Sequence, residues 1–193
     1  MKNLLKVLSF GLIMAFFFSG CSNTIESIKV DIGINKKQHL FVPNEEMYTQ
    51  CNMHAYRGRV DTVNYGVGIF IPANSKVTLL ESNSNKIKFL YKGKTITLLN
   101  KEKYSGLDIE QIFHRYFGKK KVDLNKFTKK ERKAIKSGRV IKGMSKKAVL
   151  VTLGHPPAHA TPSLESDEWK YWKSRWNTMI VIFKNGKVVS IKD

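Results

Sequence analysis

The chain has 193 residues and a formal net charge of +19, from 34 lysines and arginines against 15 acidic residues. This length allows one medium domain or two small ones after an export signal is subtracted. In the cytoplasm, a protein this basic would be expected to bind nucleic acid. Export would remove that partner and would leave anionic lipid, cell-wall polymer or an acidic protein as the anionic partner.

An export signal occupies the N-terminus. Lys2 and Lys6 precede an apolar run from Val7 to Phe18, which is too short to span a bilayer and fits the core of a secretory signal peptide. The run ends in Phe18-Ser19-Gly20-Cys21, which resembles the bacterial lipobox, where the cysteine is acylated and becomes the first residue of the mature chain. An ordinary signal peptide and an uncleaved anchor are the alternatives.

The lipobox resemblance implies a membrane anchor and a location. We expect a lipoprotein signal peptide at 1–20, a palmitate-type acyl anchor on Cys21 and a flexible tether over 21–45. Residues 27–34 within the tether are a candidate edge strand. Because Ser22 rather than Asp follows the acylated position, the resemblance implies the periplasm-facing outer membrane of a double-membraned cell.

Residues 46–100 predict a β-rich segment. The stretches "KVTLLES" (76–82) and "KIKFLYKGKTITLLN" (86–100) alternate apolar and polar residues, and Lys92-Gly93 marks a turn. The Pro72-containing turn ahead of Lys76 resembles that of a bacterial SH3-type small barrel. An antiparallel meander without a particular ligand is the alternative interpretation.

Residues 101–138 predict a helical basic connector. One helix follows an N-cap at Asp108, with Gln111 as its capping-box partner, and a second follows Thr128 with Glu131. The second helix has few apolar residues, so we expect it on the surface. Between residues 119 and 142 there are eleven lysines or arginines against two acidic residues.

This basic run predicts a surface that contacts an anionic partner, although a solvated helix face is the alternative. Near a membrane, each such residue gains about 1 kcal/mol from anionic lipid. The residues assigned to this contact are Lys119, Lys120, Lys121, Lys129, Lys130, Arg132, Lys133 and Lys136.

Residues 139–193 predict a short helix followed by strands. Ser145 is the expected N-cap, and Gly154 is the expected left-handed C-terminal residue ahead of Pro156. An aromatic strand follows at 168–176, and Asn185-Gly186 lies between apolar alternations, which indicates a type I′ hairpin.

This order of motifs resembles the SmpA/OmlA (BamE-like) family of small outer-membrane lipoproteins over about residues 139–192. The matching residues are Gly143-Met144-Ser145, Val149-Leu150, Leu153-Gly154, Pro156, Trp169, Tyr171 and Asn185-Gly186-Lys187-Val188. The resemblance implies an α+β fold in which an α-α-β-β-β unit with a three-stranded antiparallel sheet follows the β-rich segment. It also implies a non-catalytic scaffold or accessory subunit in an envelope protein complex.

The candidate sites are few. If the aromatic strand is regular, Trp172 and Trp176 share one face, and they either contact a partner or are covered by the β-rich segment. We expect loop positions exposed to solvent for His155 and His159, with no metal or other cofactor. Cys51 is expected to be a small buried residue. Because no catalytic motif is present, we expect no enzyme activity; the alternative function is binding of cell-wall polymer or anionic lipid.

Overall fold

Four α-helices and two larger sheets make up the part of the chain that the computed structural model describes, residues 40–193. The predicted α+β class and the C-terminal three-stranded antiparallel sheet are confirmed. The signal peptide, Cys21, the candidate strand at 27–34 and most of the tether lie outside the described residues.

The elements follow one another along the chain, and the longest connection runs from α4 to β9 over residues 154–167. The strands are β1 (Glu46–Thr49), β2 (Met53–Ala55), β3 (Arg59–Asp61), β4 (Ile69–Ile71), β5 (Lys76–Ser82), β6 (Lys86–Tyr91), β7 (Lys94–Leu99), β8 (Phe117–Gly118), β9 (Glu168–Trp172), β10 (Thr178–Lys184) and β11 (Lys187–Lys192). The helices are α1 (Glu102–Ser105), α2 (Ile109–Tyr116), α3 (Lys129–Ser137) and α4 (Lys146–Leu153), with a 3-10 turn at Leu124–Lys126.

The first sheet has the strand order β3-β7-β6-β5-β1-β8, and its neighbours are antiparallel except for β3 and β7. Its strands bury alternate residues, as a sheet with one covered face requires; in β5, Val77 and Leu79 are buried. Lys92 and Gly93 join β6 to β7, and both have positive φ, as the predicted turn requires. β2 and β4 form a separate two-stranded pair.

Helix α2 packs into the core of the first sheet. Its predicted capping box is present, since the Asp108 side chain accepts from the Gln111 N–H at 2.8 Å and the Gln111 side chain accepts from the Asp108 N–H. Strand β8 follows directly and pairs with β1, so part of the predicted connector belongs to the first sheet and core. The core residues of α2 are Ile112, Phe113 and Tyr116.

The second sheet, β11-β10-β9, encloses a second core together with α3 and α4. Trp169 and Tyr171 of β9 are buried in this core. Asn185 and Gly186 have φ of +51° and +70°, the positive values that a type I′ turn between β10 and β11 needs. Helix α4 begins at the predicted N-cap, where the Ser145 Oγ accepts a hydrogen bond from the main-chain N–H three residues later.

A buried asparagine joins the two cores. Asn52 is 1% exposed, and its Nδ2 donates to the carbonyls of Ile135 at 2.8 Å and Thr152 at 3.0 Å. Its Oδ1 accepts from the N–H of Ala73 at 2.7 Å. One side chain therefore bonds main-chain groups of α3, of α4 and of the turn before β5. The Ile135 carbonyl also accepts from the Gly138 N–H at 3.1 Å, at the end of α3.

Two more asparagines repeat this arrangement. The Asn64 Nδ2 donates to the carbonyl of Leu153 at 2.6 Å, at the C-terminal end of α4. The Asn74 side chain donates to the Val122 carbonyl at 2.9 Å and accepts from its N–H at 2.7 Å. The contact between the cores is thus built on amide side chains that bond main-chain groups, in addition to apolar packing.

A buried carboxylate fixes the start of α3 against the start of α4. Glu131 occupies the capping-box position of α3, and its Oε2 accepts from the N–H and hydroxyl of Thr128. Its Oε1 accepts from the Ser145 N–H at 2.8 Å and lies 3.8 Å from the Lys187 Nζ. Burial raises the pKa of Glu131, but these hydrogen bonds outweigh that effect and hold the pKa at about 2.

Three local expectations need correction. Helix α3 is not simply a surface helix, because Glu131, Ala134 and Ile135 form a buried face. Strand β9 ends at Trp172, because the Lys173 N–H bonds the Asn177 carbonyl and closes a turn there. Gly154 has φ +77° and ψ −172°, so it directs the chain away from α4 in an extended conformation rather than a left-handed helical one.

Candidate functional site

The lysines of α3 form one exposed face. Lys129, Lys133 and Lys136 are spaced at i, i+4 and i+7, which places them on the same side of the helix, and Lys130 lies beside them. Within residues 40–193, no carboxylate approaches within 4 Å of any of these four ammonium groups. We call these four residues the α3 lysine face.

The other predicted anion-contact residues differ from the α3 lysine face. Arg132 is half-buried and donates from Nη1 to the Phe127 carbonyl at 2.7 Å, so it fastens the start of α3. The Lys119 Nζ pairs with Glu45 at 3.0 Å. The Lys121 Nζ lies over the ring of Tyr48, and Lys120 is exposed to solvent.

The two tryptophans occupy different surroundings. Trp172 is half-buried, and its ring contacts that of His159 at a centroid distance of 5.1 Å. Trp176 lies in the turn after β9 and is 83% exposed, with the Arg175 guanidinium 5.2 Å from its ring centre. The described residues of the β-rich segment therefore leave Trp176 uncovered.

A groove lies beside this turn. Three adjoining depressions of about 270, 50 and 620 Å³ all include His54, and we call them together the His54 groove. Strand β2 places this side chain there, because Met53 and Ala55 are buried and His54 points to the opposite side. Its ring contacts Phe70 of β4, and burial lowers the pKa of His54, which favours the neutral ring.

The part of the His54 groove next to Trp176 carries aromatic and charged side chains. The Asp61 carboxylate is buried, with Oδ2 3.3 Å from the Arg59 Nη2 and Oδ1 3.7 Å from the Lys101 Nζ. Oδ1 accepts no hydrogen bond within residues 40–193. The lining of this part is His54, Tyr56, Arg59, Asp61, Tyr65, Val67 and Arg175.

The loop that supports this part of the groove requires a glycine. Gly68 has φ +98°, and a Cβ at this position would lie 2.2 Å from the Ala55 carbonyl oxygen. Only glycine permits β4 to approach β2 so closely. Tyr56, Arg59 and Asp61 were not predicted as site residues from the sequence; the available signal was the arginine–aromatic pairing in "YRGR" and "SRW".

The histidine and cysteine expectations have mixed outcomes. His159 is exposed and packs between Tyr104 and Trp172. His155 is half-buried and lines a depression to which α4 also contributes. The expectation of an exposed His155 was therefore wrong. Cys51 is buried as predicted, and burial raises its pKa to about 12, which suppresses the reactive thiolate. Residues 40–193 contain no cluster of three side chains suited to a metal ion.

Comparison with known proteins adds no relative. No protein-family model, curated protein or solved structure matches this chain. In the described part of the chain, none of the helices combines the length and the apolar character needed to cross a bilayer.

Proposed function

We propose that this protein is a non-catalytic, lipid-anchored lipoprotein of the outer membrane that acts as an envelope scaffold or accessory subunit through protein–protein contacts. Its role would lie in outer-membrane assembly or integrity. The observation that carries the proposal is Trp176, which is 83% exposed beside the His54 groove. A large apolar ring held in water is costly unless a partner covers it for part of the time.

The surroundings of Trp176 support a protein partner. Tryptophan, tyrosine and arginine dominate the binding energy of protein interfaces. Tyr56 and Arg175 line this end of the groove, and the Trp176 ring contacts the Arg175 guanidinium. Tyr56 is itself 53% exposed. Across the whole groove, four cations (Arg59, Arg139, Lys173 and Arg175) stand against Asp61 and Asp193, so the complementary partner surface is acidic.

The C-terminal region supports the family assignment within this proposal. We propose that residues 139–193 are the SmpA/OmlA-like domain and that α3, which precedes them, completes an α-α-β-β-β unit within residues 108–193, with the earlier sheet as an added SH3-type module. The order α3, α4, β9, β10, β11, the Ser145 cap and the Asn185-Gly186 turn are consistent with that assignment.

Site-specific photocrosslinking tests the contact. A photoreactive amino acid at position 176 should crosslink in cells to one envelope protein in stoichiometric amount, whereas the same group at Val189, which is also exposed, should not. The variant Trp176→Ala should fold normally and lose co-purification of that protein. Equal crosslinking from both positions would contradict the proposal.

Binding of an anionic surface is the second candidate function, and the α3 lysine face favours it. Four exposed ammonium groups, which have no carboxylate partner among residues 40–193, attract anionic lipid or cell-wall polymer. Sedimentation of the protein with purified cell wall, without a stoichiometric protein partner, would favour this function over the scaffold.

A further inference from the structure

A shallow depression of about 350 Å³ lies between α2 and α4 and shares no lining residue with the His54 groove or the α3 lysine face. Helix α2 contributes His114 and Arg115, helix α4 contributes Lys147, and His155 follows α4. None of the nine lining residues is acidic. The lining is Gln50, Cys51, His114, Arg115, Phe127, Lys147, Leu150, Val151 and His155.

The two permanent cations of this depression have no counter-ion in the described part of the chain. Neither Arg115 nor Lys147 lies within 4 Å of a carboxylate of residues 40–193, and no hydrogen bond from the Arg115 guanidinium to those residues is present. The neighbouring Lys146 differs from these two cations, because its Nζ donates to the main-chain carbonyls of Leu164 and Glu165.

Partial burial and the positive charge of Arg115 shift two pKa values in this depression. Burial lowers the pKa of the half-buried Arg115 guanidinium. Burial and the nearby Arg115 charge together lower the pKa of His155 to about 4. Holding a cation partly out of water without a counter-ion is unfavourable, and a bound anion would relieve both effects.

We propose that this depression, which we call the Arg115 site, binds a phosphate group. The guanidinium of Arg115 presents paired N–H donors that match two phosphate oxygens, and Lys147 supplies a second positive charge at the rim. The imidazoles of His114 and His155 supply further N–H donors. Two fixed charges fit a dianion such as phosphate or a phosphomonoester better than a singly charged carboxylate.

The Arg115 site does not depend on the protein contact at Trp176, because the two share no residue. The same phosphate chemistry comes from two sources, free inorganic phosphate and the monoester headgroup of a lipid. Both sources therefore enter the test as separate arms.

Calorimetric titration of the full chain in neutral detergent tests the site. The ligands are inorganic phosphate, dihexanoyl phosphatidic acid, and, as references, acetate and dihexanoyl phosphatidylcholine. Arg115→Gln should weaken binding of the phosphate ligands about tenfold or more, because it removes charged hydrogen bonds. Lys147→Gln should weaken it severalfold, and Lys94→Gln, which removes an exposed charge of the β6–β7 hairpin, should change it less than about twofold.

Each result bears on the proposal. Binding of inorganic phosphate with this order of variants supports a site for free phosphate, and the same order with phosphatidic acid alone supports a lipid-borne group. The proposal would be overturned if neither phosphate ligand bound, or if Lys94→Gln weakened phosphate binding as much as Arg115→Gln did. It would also be overturned if acetate or dihexanoyl phosphatidylcholine bound as tightly as the phosphate ligands. Lys147 is exposed, so Lys147→Gln decides the question if Arg115→Gln fails to fold.

Discussion

The Glu131 carboxylate accepts a hydrogen bond from the main-chain N–H of Ser145 across 2.8 Å, so the first turns of α3 and α4 share one buried negative charge. The Ser145 residue is itself the N-cap of α4. A carboxylate in this place is favoured by the positive ends of both helices, since each has unpaired N–H groups at its start.

Replacing this charge should weaken the fold in a pH-dependent way. Folding lowers the pKa of Glu131 from 4.5 to about 2, which corresponds to about 3 kcal/mol of the free energy of unfolding. Because the folded pKa is depressed, this stabilisation is present in full above about pH 5 and is lost as the pH falls toward 2. Denaturant unfolding of Glu131→Gln should therefore show a deficit of about 2–3 kcal/mol at pH 7 that shrinks at pH 3.

The exposed Glu110 of α2 offers a matched control, because Glu110→Gln also removes one carboxylate near a helix start. We expect the control to change the free energy of unfolding by less than about 1 kcal/mol. A constant deficit for Glu131→Gln from pH 7 to pH 3 would rule out the charge as its cause.

Removal of the Asn52 amide should destabilise the contact between the two cores. Asn52→Ala leaves the Thr152 carbonyl and the Ala73 N–H without this partner, whereas the Ile135 carbonyl keeps its hydrogen bond from the Gly138 N–H. Each buried group left without a hydrogen bond costs about 1–3 kcal/mol. Because the structure around position 52 can partly relax, we expect Asn52→Ala to lower the free energy of unfolding by about 3 kcal/mol. Thermal and denaturant unfolding measure the loss.

Asn85 provides the comparison for Asn52. It is exposed in the turn before β6, so Asn85→Ala should stay within about 0.5 kcal/mol of the parent chain. A similar small effect from Asn52→Ala would mean that the amide does not join the cores.

Local signals in the sequence predicted the parts of the fold that local chemistry decides. The caps at Asp108, Thr128 and Ser145 and the turn at Asn185-Gly186 follow from hydrogen bonds or φ angles within four residues, and all are present. The pairing of β1 with β8 joins residues about 70 positions apart and has no local signal.

The candidate sites divide in the same way. The α3 lysine face followed from composition, since charge without apolar spacing indicates exposure. The His54 groove and the Arg115 site are formed by segments that lie far apart in the sequence and come together when the two cores pack. Local sequence patterns do not predict which of these segments are in contact. Glu131 was identified as a cap, but its second hydrogen bond to Ser145 depends on the packing of α4 against α3.

Charge reversal of the α3 lysine face tests its role in anionic contact. In a chain lacking residues 1–21, changing Lys129, Lys130, Lys133 and Lys136 to Glu should abolish binding to anionic vesicles at low salt. The fold should persist. Glu at positions 129 and 130 interacts favourably with the positive N-terminal end of α3, and this offsets the unfavourable interaction of Glu at position 136 with the negative C-terminal end. Because the Debye length is about 8 Å at physiological ionic strength, added salt should weaken binding of the parent chain.

An equal change of charge elsewhere controls for the net charge of the protein. Reversing Lys92, Lys94, Lys103 and Lys184, which are exposed and form no ion pair within residues 40–193, should leave much of the vesicle binding in place. If both reversals abolish binding equally, the overall charge rather than α3 is responsible.

The acyl anchor is tested at the two cysteines. Cys21→Ala should lose incorporation of labelled palmitate and should leave the membrane fraction after a high-salt wash, because the acyl chains supply the membrane affinity. Cys51→Ala should keep both properties, since this thiol is buried in the first core. Retention of Cys21→Ala in the washed membranes would refute lipid anchoring at this residue.

The asparagine hydrogen bonds between the two cores also affect the rate at which the folded protein unfolds. They connect residues 83, 100 and 89 positions apart, so they form only after the chain has closed long loops and both cores have condensed. Interactions that form after the rate-limiting step of folding act mainly on the rate of unfolding. We therefore expect Asn52 and Asn64 to contribute little to how fast the protein folds. Their effect would be to prolong the lifetime of the folded state, and thus the time for which the chain resists the proteases around it.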